Sequence, residues 1–206
     1  MTNKPKQPSA TEEAPTSEQA EHVAETALTL FLQHGYDATP MSLVAKHAGL
    51  TKAGIYHHFE SKEHLLYVVH KNHIERLLLP LIDQAEQETD PERRLRRFLV
   101  DYASLLARDP SARVLISESK RLDPEHYEDI RGAWRRGLNL IRGCIRQLQE
   151  AGRCDRQLNP TYAAFAAIGM CSWICNWFDY SRPEAGQSVA RTMESLFLNG
   201  LLRGGN

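Results

Sequence analysis

The chain is predicted to be all-α, with nine helices: three short ones forming a helix-turn-helix unit, then a longer helical remainder. Two observations predict this. From residue 17 onward apolar residues recur at helical spacing, as in Ala24, Ala27, Leu28 and Phe31, with no alternating strand pattern anywhere. Glycine and proline also stand where helices should stop and start, and the first three segments are packed tightly between residues 22 and 66.

The first helix should end at Gly35, since glycine suits the left-handed position past a helix end. Thr39-Pro40 then reads as a helix start, followed by an apolar face of Met41, Val44, Ala45 and Ala48 and a second stop at Gly49. Thr51 should cap a third short helix that turns Ile55 and Phe59 inward. Ser61 should cap a fourth, with Glu63 in its first turn favourable to the helix dipole. Longer helices are expected at 61–86, 91–108, 111–118, 124–152, 160–180 and 187–203. Pro80 should kink or end the fourth, because proline removes an amide donor and crowds the preceding turn. Residues 158–178 carry no charge, but Asn159, Pro160, Ser172 and Asn176 interrupt them, so a buried helix is expected rather than a membrane span.

Hydrophobic content of 42% and charged content of 25% are those of an ordinary globular chain, and a net charge of −1 excludes a globally basic nucleic-acid coat. The four cysteines (144, 154, 171, 175) form no disulfide framework and no signal peptide is evident, so a cytoplasmic setting is expected. Residues 1–16 are polar and proline-containing and are expected to be a disordered arm. Residues 17–66 would then be a DNA-binding domain and 67–206 a ligand-binding and dimerisation domain. No nucleophile–base pair, phosphate loop or metal motif is visible, which argues against an enzyme and gives no reason to expect a cofactor. Cys171/Cys175 and His70/His73 have helical spacing but no further ligands, so no metal is expected.

The third helix raises a specific question, because it presents Lys52, Tyr56, His57 and His58 on a very short segment. Thr51, Lys52, Tyr56 and His57 can reach phosphates or base edges, while Ala53 and Gly54 permit close approach to a groove. No acidic residue lies between Ala38 and Phe59, although Lys46, His47, Lys52, His57 and His58 do. A polyanion could meet this face; a solvated helix that merely lacks acids is the alternative.

The spelling of residues 22–66 resembles the DNA-binding domain of the TetR family of bacterial repressors. The matching positions are Ala27, Phe31, Gly35, Tyr36, Thr39, Val44, Ala45, Ala48, Gly49, Tyr56, Phe59, Lys62 and Glu63; Leu43 departs from the usual acid. The resemblance implies that Thr39, Tyr56 and Lys62 bind phosphates and that Thr51, Lys52, Ala53 and His57 lie nearest the bases. It implies a homodimer through the last two helices, reading a near-palindrome in double-stranded DNA with recognition helices about 34–36 Å apart. It also implies a small-molecule effector held by the larger half.

For that effector, Arg131, Arg135, Arg142, Arg146 and Arg153 project within a sector of about 60° on the 124–152 helix. Beside them runs an apolar stripe that includes Trp134, Leu138 and Ile141. Such a row suits a ligand with an anionic head and an oily tail, and Arg93, Arg94, Arg96 and Arg97 could add to its field; a solvated basic face is the plain alternative. The C-terminal stretch, with Gly169-Met170, Trp173, Asn176-Trp177, Pro183 and Gly200-Leu201, resembles a branch of the family that answers to CoA thioesters. That resemblance points to an acyl-CoA effector, with Trp173 and Trp177 either lining an acyl pocket or serving as core or dimer contacts. A hydrophobic or aromatic non-CoA ligand, or a thiol- or metal-responsive regulator, would be the alternatives on the same scaffold.

Overall fold

The computed structural model describes residues 17–202, so the expected arm at 1–16 lies outside the described residues. Among the described residues there are nine main helices and no strand, only an isolated bridge between Cys154 and Leu202. They are α1 (Ser17–His34), α2 (Met41–His47), α3 (Lys52–His58), α4 (62–86), α5 (Pro91–Arg108), α6 (Ser111–Glu118), α7 (Pro124–Glu150), α8 (Pro160–Ser172) and α9 (Ala185–Leu201). None of these is long and apolar enough to cross a membrane.

Two boundaries differ from expectation for identifiable reasons, while helix α4 runs past Pro80 to residue 86 as the expected 61–86 span implies. A π turn, Ile74–Leu78, precedes that proline, with the Leu79 amide donating to the Ile74 carbonyl. That wider turn moves aside the carbonyls that the proline ring would strike and that lack its amide. The expected 160–180 helix breaks at Trp173, leaving α8 and a single turn, Ile174–Trp177. There the Asn176 amide donates to the Trp173 carbonyl at 3.0 Å, a tighter bond than the helical pattern, and the turn closes early. Helix α7 stops at Glu150, ahead of Gly152, which takes φ +72°.

Phe31, Ile55, Phe59, Leu65 and Leu66 close the core of α1–α4, and all are buried. Helix α5 is the centre of the remainder, packed by α7, α8 and α9. Its most intimate neighbour is α9, where a Cβ added at Gly186 would lie 3.2 Å from the Ala107 Cβ. The Arg96–Glu194 ion pair joins the same two helices. Helix α4 packs on both α1 and α7, so it mechanically links the two ends of the molecule.

His70, on the inner face of α4, is 1% exposed, and its Nε2 has no hydrogen-bond partner among the described residues. Burial, helped by nearby His73, lowers its pKa to about 4 from an ordinary 6.5. A group whose folded pKa is depressed below its unfolded value contributes stability above the unfolded value, and that stability is lost as pH falls. The protein should therefore lose stability between about pH 6.5 and pH 4, by up to about 3 kcal/mol from this residue. Denaturant titrations across that window should show His70→Leu with a flatter pH dependence than the parent. Equal slopes would mean that His70 does not carry the effect.

Candidate DNA-binding face and effector groove

The turn between α2 and α3 is closed by Gly49 at φ +71°, with the Leu50 amide donating to the Ala45 carbonyl at 2.8 Å. Only glycine adopts that conformation without strain, and the closure fixes the angle at which α3 leaves α2. Thr51 caps α3 by accepting the Gly54 amide at 3.0 Å, and its hydroxyl proton remains free to donate. With Ile55 and Phe59 buried beneath, the other face of α3 exposes Thr51, Lys52, Ala53, Tyr56 and His57, Tyr56 by 45%. Lys46 and His47 lie exposed at the end of α2. The His47 ring bonds the Leu43 carbonyl through Nδ1 at 2.9 Å, which leaves Nε2 for solvent or a partner.

Two expected phosphate contacts are not on this face. Thr39 is 0% exposed; its hydroxyl donates to the Gly35 carbonyl at 2.8 Å and its amide to the Tyr36 carbonyl at 3.1 Å. Its polar atoms are used within the protein, where they brace the end of α1. Lys62 is likewise turned inward. Its ammonium donates to the Tyr36 carbonyl and lies 4.1 Å from the Tyr36 ring centre. Partial burial lowers its pKa, and it acts as a tether between α4 and the α1–α2 turn.

In the larger half three arginines of the expected row are held by carboxylates. Arg131 and Arg135 both pair with Glu128, and Arg153 pairs with Asp90 and Glu92 across to α5. Arg142 is half-buried, and Trp134 and Leu138 are half-buried against the core. A groove of about 390 Å³ runs instead along α7 beside the row, walled by Arg94, Arg135, Arg136, Glu86, Asn139 and Leu140, with Gly132 and Gly143 in its lining. A second groove of about 380 Å³ shares Gly132 and Arg136 with it and extends over Ile74 and Leu79, at the π turn of α4. Arg136 stands between the two and pairs with Asp83 and Glu86 of α4. Sequence reasoning missed Arg136, Gly132 and Gly143. The available signal was the spacing 132, 136, 139, 143 along one face of α7, small or polar throughout.

Trp173 and Trp177 line neither groove. They are 65% and 49% exposed, in the same C-terminal region as the exposed Tyr162 and Phe165 of α8 and Leu196 of α9. All four cysteines are buried, and burial pushes the Cys144 thiol up to about 11 and Cys171 up to about 12. Neither is a ready thiolate, which weakens the case for thiol sensing.

Residues 23–68 match the family model for bacterial regulatory proteins of the tetR family. Residues 88–201 match that for the tetracyclin repressor-like C-terminal domain. The fatty acid metabolism regulator protein of Bacillus subtilis (strain 168) is 21% identical over 179 residues, covering 84% of this chain and 92% of the relative. Among solved structures, AibR in complex with isovaleryl coenzyme A and operator DNA superposes with a TM-score of 0.78 at 25% identity, covering 86% of this chain and 97% of AibR. PfmR from Thermus thermophilus, a TetR family transcriptional regulator, gives 0.79 at 30% identity, covering 92% of this chain and 100% of PfmR.

Proposed function

Because this chain belongs to the TetR family of bacterial transcriptional regulators, we propose that it is a dimeric, cytoplasmic repressor that leaves its operator when a CoA thioester enters the α7 groove. The observation that carries the effector reading is the convergence of Arg94, Arg135 and Arg136 on one groove. A neighbouring groove there leads to the apolar side chains of Ile74 and Leu79. Arginines would take the phosphates of the CoA portion, and the apolar extension would take a short acyl chain. The AibR complex, which holds isovaleryl coenzyme A, gives a precedent for that ligand class in a similar fold; it holds operator DNA at the same time and so does not bear on release.

Release would work by exchange of partners. Arg136 ties α7 to Asp83 and Glu86 of α4, and α4 continues from the helix-turn-helix. A phosphate that captures Arg136 frees those carboxylates and lets α4 take a different tilt. The ligand then shifts the population away from the DNA-bound arrangement by as much as it prefers the other. Operator contact would come from Thr51, Lys52, Ala53, Tyr56 and His57. The exposed aromatic side chains of α8 and the turn after it, with Leu196 of α9, would be covered by a second copy of the chain.

The double variant Arg94→Met/Arg135→Met should bind isovaleryl-CoA and longer acyl-CoAs at least about tenfold more weakly, since each charge-assisted pair contributes roughly 1.5–3 kcal/mol. Operator affinity and dimerisation should be retained. Calorimetry with the thioester, beside an operator titration, measures both. Undiminished thioester binding would remove the groove from the account, and an aromatic acid that binds where acyl-CoA does not would replace the ligand class.

A further inference from the structure

We propose that Glu63, Asp123 and His126 form a site for a divalent cation of the zinc class, joining the first turn of α4 to the start of α7. One ligand atom from each residue lies within 4.8 Å of the other two, and no other such trio occurs among the described residues. The His126 Nδ1 already faces the Glu63 carboxylate, at 2.9 Å from Oε1 and 3.1 Å from Oε2. Those separations are a few tenths of an ångström inside the edge of a tetrahedron around zinc, about 3.4 Å for metal–ligand bonds near 2.1 Å.

The third ligand is free to join. Asp123 occupies the N-cap position of α7, where an aspartate ordinarily accepts a backbone amide, yet its side chain makes no capping bond. Its backbone amide instead donates to Glu63 Oε1 at 2.9 Å, which holds the two residues together. The imidazole is equally well placed. Its ring stacks on Tyr67 with centres 4.0 Å apart and planes 9° apart, which fixes the direction of Nδ1.

Charge supports a cation in particular. No lysine or arginine pairs with Glu63 or Asp123 among the described residues, so two carboxylates share a small volume with only a histidine between them. A divalent ion would neutralise both and would take the place of the hydrogen bond between His126 and Glu63. The imidazole nitrogen favours zinc, cobalt or nickel over magnesium or calcium, which prefer oxygen alone. Three protein ligands leave a position for water. The ion would clamp α4 to α7 one residue past Lys62, independently of the α7 groove.

The full chain, stripped with a chelator, would be titrated with Co2+ by visible absorption and with Zn2+ by calorimetry. One ion per chain is expected, with a tetrahedral or five-coordinate cobalt spectrum and a rise in Tm. Asp123→Asn removes a ligand without touching the His126–Glu63 bond, so it should keep the metal-free Tm and weaken binding at least about tenfold; His126→Gln should do the same to binding. Absence of binding to the parent chain, or parental affinity in either variant, would overturn the proposal.

Discussion

Phe165→Asp is expected to leave the protein monomeric and without measurable operator affinity. Phe165 is 57% exposed on α8, and Tyr162, Trp173, Trp177 and Leu196 of the last helices are exposed as well. Its loss therefore costs the monomer little, and far-ultraviolet dichroism should be unchanged. In a dimer that buries this face, the new carboxylate would be desolvated without a partner, at a cost of about 3–5 kcal/mol per uncompensated charge. Two symmetric copies incur it twice, so the dimer constant should weaken by more than about ten-thousandfold. A monomer presents one recognition helix to one half-site and loses the paired reading that gives specificity. Sedimentation beside operator titration checks both effects. A tight dimer in the variant would move the interface elsewhere on the molecule.

The second large effect is on the DNA face itself. Lys52→Ala and Tyr56→Ala should each lower operator affinity by about ten- to a hundredfold, the range of a lost contact worth about 1–3 kcal/mol. Both side chains are exposed and neither makes a hydrogen bond to another described residue, so thermal stability, dimerisation and thioester binding should match the parent. Salt dependence separates the two variants. Lys52→Ala removes one cation from each chain of the dimer and should reduce the slope of affinity against salt by about two, whereas removing a neutral tyrosine should leave it unchanged. Thr51→Ala is a poorer probe, because it also deletes the α3 cap.

The helices were largely legible because they rest on local rules. Gly35 and Gly49 mark stops because both sit at positive φ, where other residues are strained. Ala27, Phe31, Val44, Ala45, Ile55 and Phe59 are buried because helical periodicity puts them on one face. What was not legible depended on contacts that only the folded chain makes. The ammonium of Lys62 is claimed by a carbonyl 26 residues away, and nothing in the spelling near residue 62 records it. Thr39 looks like an available hydroxyl until the end of α1 closes over it. The arginine row is sound as a set of directions on one helix; Glu128, which takes Arg131 and Arg135, stands on that same helix, whereas Asp90 and Glu92, which take Arg153, come from the start of α5 and are not recorded in it. The π turn before Pro80 is a local solution to a local problem, yet several such solutions exist and packing selects among them.

The central claim is that one protein couples a specific DNA contact to an acyl-CoA. Its most direct test is a titration of the purified chain on labelled DNA from upstream of its own gene, against scrambled DNA at moderate salt, repeated with an acyl-CoA series beginning at isovaleryl-CoA. The account predicts preferential binding to the upstream fragment, lost as the thioester is added, with free coenzyme A much less effective. Specific binding that no thioester alters would contradict the coupling, and binding indifferent to sequence, there and across a library of genomic fragments, would contradict the DNA-reading face.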